Sequence, residues 1–131
     1  MRLRFLIPAR VAYLDAEGAG SAIGTIDSYA GAEFPLRCTL YLLLSFEAAS
    51  EDAATIVTPD IEVRSPDNDL LWQRSIVLRP GTLGEHGDAW VSYAALLVTF
   101  TARTPGAHEI HCRIDGELIG SSAIDVLKAA A

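Results

Sequence analysis

The chain has 131 residues, half of them apolar and 21% charged, which is the size and make-up of a single globular domain spanning 1–131. Seventeen Asp and Glu against ten Lys and Arg leave a formal charge of -7, and that field repels phosphate backbones and anionic headgroups. Nucleic acid and membrane are therefore not expected partners; no apolar run approaches the roughly 18 residues of a spanning helix, and the charged opening MRLRFLIPARVAYLDAEG lacks a signal-peptide pattern, so the expected compartment is the cytoplasm.

Period-two alternation dominates the chain. Strands are predicted at 2–14 and 20–28, separated by the turn sequence Asp15-Ala16-Glu17-Gly18. The next runs over 36–47, where Leu36, Cys38, Leu40, Leu42, Leu44 and Phe46 form an apolar face and Arg37, Thr39, Tyr41, Leu43 and Ser45 a mixed one. Only 47–54 and the end from Lys128 offer room for helix, and both are short. A strand at 55–64 aligns Val57, Pro59, Ile61 and Val63, with Pro59 predicting an edge position. The polar turn Ser65–Asp69 leads into a strand at 70–78, and a glycine-rich loop, RPGTLGEHGDA, fills 79–89. The strand at 90–102 has two apolar faces, and strands at 108–114 and 117–127 flank Asp115-Gly116, a type I′ hairpin signal. About eight strands with turn signals between them predict an all-β, antiparallel, Ig-like β-sandwich with little helix, a small β-barrel being the alternative.

Chemistry-bearing residues are sparse. Cys38 and Cys112 both fall on inward faces, where they either bridge facing sheets or, in a reducing compartment, act as small buried hydrophobes. His108 and His111 are three apart, so on a regular strand they point to opposite faces and cannot share a metal; His111 is expected outside with Glu109 and Arg113, and His108 near the strand's mouth. Asp67, Asn68 and Asp69 lack EF-hand spacing, Gly81, Gly84 and Gly87 lack a following Lys-Ser or Lys-Thr, and no serine sits in a G-x-S-x-G elbow. Glu85, His86 and Asp88 form the densest titratable group and are the weak candidates for a metal site. No catalytic residue and no cofactor are assigned.

The outer faces say more. Tyr41 and Leu43 on one strand and Val91, Tyr93 and Leu97 on another put apolar side chains on what should be the solvent side. Either the chain's own strands cover them or a second copy or protein partner does.

FLIPARVAYLDAEGAGSAIGT, Phe34-Pro35, IEVRSPDNDLLW and TPGAHEIHCRIDGELIG together resemble a family of small bacterial proteins known only as a domain of unknown function. The last segment is also similar to the final hairpin of many Ig-like modules. The resemblance implies a β-sandwich, no established activity and no catalytic residue to carry over. The expectation is a non-enzymatic interaction or assembly module that self-associates through Tyr41, Leu43, Val91, Tyr93 and Leu97. Its rivals are a small-molecule binding protein with a site near 79–90 and, third, a metal-dependent enzyme using Glu85, His86 and Asp88.

Overall fold

The computed structural model describes residues 1–49, 56–78, 83–86 and 89–130, with the backbone alone for 83–86 and 89. Those residues form ten strands and no helix: β1 (Arg2–Leu14), β2 (Gly20–Thr25), β3 (Ser28–Gly31), β4 (Leu36–Ala49), β5 (Asp60–Arg64), β6 (Leu70–Ser75), β7 (Leu83–His86), β8 (Ala89–Ala102), β9 (Gly106–Ile114) and β10 (Glu117–Lys128). They build two five-stranded sheets, sheet A in the order β2-β1-β4-β8-β7 and sheet B in the order β3-β10-β9-β5-β6. The fold is an all-β sandwich. The neighbours β1-β4-β8-β7 and β10-β9-β5-β6 follow the A-B-E-D and G-F-C-C′ orders of Ig-like domains, with β2 and β3 as additional edge strands.

Alternation dictates the core. Every residue of β4 from Leu36 to Ala49 pairs with β8, so the inner faces of both strands register throughout. Cys38, Leu40, Leu42, Leu44 and Phe46 meet Leu96, Val98 and Phe100 within sheet A, and Ile61, Val63, Ile110, Cys112, Ile124 and Val126 close the core from sheet B. Each large apolar side chain so buried contributes about 1.5–3 kcal/mol of transfer free energy. Close approach of the sheets depends on Gly120, where a Cβ would fall 2.3 Å from a Leu3 methyl.

Several local expectations are corrected. The predicted strand at 20–28 divides into β2 and β3. Gly24 adopts a φ of +68°, Ile26 N–H donates to Pro8 O, and the chain then leaves sheet A for sheet B. There β3 runs parallel to β10, so the sandwich is not purely antiparallel. Pro59 does not mark an edge: β5 begins at Asp60, just beyond it, and lies between β6 and β9. Val57 pairs only through an isolated bridge to Leu78. The glycine-rich loop contains a short strand, β7, paired with the start of β8. Residues 47–49 continue β4, while the rest of the helical candidate at 47–54 lies outside the described residues. Asp115 and Gly116 have φ of +51° and +80°, the two positive values that a type I′ turn requires.

Candidate interaction surface

The outer face of sheet A carries the five residues expected at an interface, and the chain treats them unequally. Leu43 and Val91 are buried, Tyr41 and Tyr93 half-buried, and Leu97 is 49% exposed. Around the buried pair, Tyr93 meets Phe5 with ring centroids 6.2 Å apart, and the Arg4 guanidinium lies 5.8 Å over Phe5. Arg4 Nη1 donates to the buried Ser45 hydroxyl at 3.1 Å, so the polar group enclosed in this layer is satisfied.

The cover is the β1–β2 hairpin. Although sheet order places β2 beyond β1, β2 touches β4 and β8, and β1 touches β8, which requires the hairpin to fold back across the outer face. Small residues permit the approach. Ala12 is buried, and a Cβ on Gly20 would stand 2.6 Å from both a Leu43 methyl and the Tyr93 ring. The hairpin loop is held by Asp15, whose Oδ1 accepts from the N–H groups of Glu17 and Ala19, both at 2.9 Å, while Gly18 supplies a φ of +84°.

Covering one apolar layer exposes another. Val11, Tyr13 and Ile23 are 44%, 47% and 59% exposed, and Val11 pairs directly with Ile23. Register joins them to the expected set: Ala9, two residues before Val11, pairs with Tyr41, which pairs with Leu97. Val11 with Ile23 on the hairpin and Tyr41 with Leu97 on β4 and β8 are thus two cross-strand pairs that contain no charge. Sequence reasoning missed Val11, Tyr13 and Ile23, although the alternation Phe5, Ile7, Ala9, Val11, Tyr13 was visible.

Sheet B presents the opposite surface chemistry. Glu62, 5% exposed, receives Arg64 Nη2 at 2.7 Å and Arg113 Nε at 2.8 Å. Burial pushes its carboxyl pKa up, but hydrogen bonds and charge from the two arginines outweigh it and hold the group below the ordinary glutamate value. His111 lies on this outer face as expected, bonded to Glu109 at 3.0 Å, yet it is buried by its neighbours. His108 departs from expectation. It is fully buried rather than at a mouth, with its ring 5.6 Å from Phe100 and Nδ1–H donating to Gly106 O at 2.9 Å, which leaves Nε2 unpartnered among the described residues.

Cys38 and Cys112 are free and buried at opposite ends of the core. Cys38 pairs with Phe100, next to His108, whereas Cys112 is four residues further along β9, roughly 13 Å at strand rise. A disulfide needs Cα atoms within about 7 Å, so the two do not bridge. Burial, then the charge of Asp60, pushes the Cys112 thiol up to about 12.

Of the weak metal candidates, Asp88 and the side chains of Glu85 and His86 lie outside the described residues, as does most of the 79–89 loop proposed for a ligand. Among the described residues no three His, Cys, Asp or Glu side chains group as metal ligands, and no helix is long and apolar enough to cross a membrane.

No protein-family model and no curated protein matches the chain. Two of the solved structures that align with the chain are these. A β-glucosidase from Listeria innocua in complex with isofagomine aligns over 97% of this chain at a TM-score of 0.52 and 11% identity. An alkylpurine DNA glycosylase, AlkC, from Pseudomonas fluorescens, bound to DNA containing an abasic site analog, aligns over 96% at a TM-score of 0.46 and 14% identity. The chain spans 16% of the glucosidase and 30% of the glycosylase. At these identities the glucosidase likeness bears on the sandwich fold alone.

Proposed function

We propose that the chain is a non-enzymatic interaction module that self-associates through the outer face of sheet A. The observation that carries this reading is the uncharged pairs, Val11 with Ile23 and Tyr41 with Leu97, with Tyr13 beside the first, on a surface with a formal charge of -7. Exposed apolar side chains paired across strands are costly for a monomer, and a two-fold contact between identical patches removes them from water on both copies. Leu43 and Val91 serve beneath this surface, as its packed support.

The test compares the mass in solution, by light scattering at about 50 µM, of the wild type, Val11→Ser with Ile23→Ser, and Tyr41→Ser with Leu97→Ser. The proposal expects a multiple of the chain mass for the wild type and the single-chain mass for the substituted proteins, with unchanged far-ultraviolet spectra. A wild type of single-chain mass, or folded variants of unchanged multiple mass, overturns it.

A further inference from the structure

Arg37 and Arg103 are unpartnered among the described residues, as Arg10 and Arg74 also are, and Arg37 and Arg103 share a cleft. Arg2, Arg64 and Arg113 pair with carboxylates and Arg4 bonds Ser45, whereas Arg37 and Arg103 have no hydrogen bond or ion pair among the described residues. Both line one cleft of about 390 Å³, together with Thr99, Thr101, Phe100 and the Leu70-Leu71 pair of β6. Register explains the convergence. Thr99, Thr101 and Arg103 are alternate residues running off the end of β8, and Arg37 of β4 pairs with Thr101.

The cleft also borders an open strand edge. β7 pairs with β8 only near Ala89–Val91, so beyond that point β8 pairs on its β4 side alone among the described residues. In an antiparallel strand every second residue turns its N–H and C=O toward such a free edge. Asp67 and Asp69, on the adjoining turn, form no ion pair with either arginine. The Thr99 hydroxyl bonds that of Thr39 at 3.4 Å, which leaves two guanidinium groups and the Thr101 hydroxyl as side-chain donors facing the cleft, and a guanidinium fork matches the oxygens of a carboxylate or phosphate. Leu70, Leu71 and Phe100 provide an apolar wall beside them.

We infer that this cleft binds a small organic anion, its carboxylate or phosphate held between Arg37 and Arg103 and its apolar portion against Leu70 and Leu71. The inference does not rest on self-association, although the cleft adjoins that face, Leu97 and Thr99 being alternate residues of β8, and the site runs against the sign of the net charge because field at short range is set by the nearest groups.

Amide and side-chain shift mapping by two-dimensional NMR tests it, with pyrophosphate, hexanoate and the neutral hexanamide titrated separately into the wild type and the Arg37→Gln, Arg103→Gln protein. The expected result is saturable binding of at least one anion, with shifts concentrated at Arg37, Thr99, Thr101 and Arg103. Affinity should fall at least tenfold in the variant, whose remaining spectrum is unchanged. Preference for pyrophosphate identifies phosphate as the head group, and preference for hexanoate identifies an acyl carboxylate. Unsaturable or scattered shifts with both anions, equal binding of hexanamide, or affinity retained in the variant overturns the inference.

Discussion

Single residues carry most of the polar cost of this fold. Glu62 is nearly enclosed on the outer face of sheet B and is tolerated there because Arg64 and Arg113 both donate to it. Its folded pKa is lowered, so the stabilisation it gives is full above the ordinary glutamate value and is lost as the pH falls through the folded value. Glu62→Gln should cost about 1–2 kcal/mol at neutral pH, the partial exposure of the arginines keeping it at the low end. Urea unfolding should show the gap between variant and wild type closing as the pH falls through that lowered folded value. The thiols make a second prediction. Cys38 and Cys112 are buried, with pKa values raised chiefly by burial, so neither presents thiolate at neutral pH. A thiol reagent under non-reducing conditions should label neither cysteine in the folded protein and both after denaturation; no label after denaturation would signal a bridge.

At the scale of elements, the β1–β2 hairpin decides what the surface looks like. Its fold across β4 and β8 depends on Gly20, where any side chain meets Leu43 and Tyr93. Gly20→Val should destabilise the protein by about 1–3 kcal/mol through overpacking. It should also raise Tyr93 fluorescence quenching by iodide, because lifting the hairpin opens that ring to solvent; unchanged stability would mean the hairpin is not packed there. The elements themselves were legible where alternation was strict. β1, β4, β8, β9 and β10 lie within two residues of their predicted bounds, and the Asp115-Gly116 turn has the predicted type, since Gly and Asp tolerate positive φ. What escaped the sequence was long-range. Nothing local in Gly24-Thr25-Ile26 distinguishes a strand that continues from one that crosses to the other sheet, and Pro59 reads as an edge signal until the strand is seen to start after it. The outer-face apolar residues were readable, but whether the chain or a partner covers them depends on where a hairpin folds. Leu43 and Val91 therefore read the same as Leu97 in sequence and differ in the structure.

For the whole molecule, the two sheets divide the labour. Sheet B is faced with paired charges, and sheet A with exposed uncharged pairs beside a packed apolar layer. Self-association through those pairs brings together two chains of formal charge -7, so long-range repulsion opposes contact while apolar burial favours it. Added salt screens the first and spares the second. Sedimentation velocity of the wild type across protein concentration, at low salt and at about 0.5 M sodium chloride, measures both at once. Self-association through uncharged side chains predicts a concentration-dependent boundary that moves toward the larger species in high salt. A single-chain boundary at every concentration and salt level, or an oligomer that salt dissociates, would contradict it.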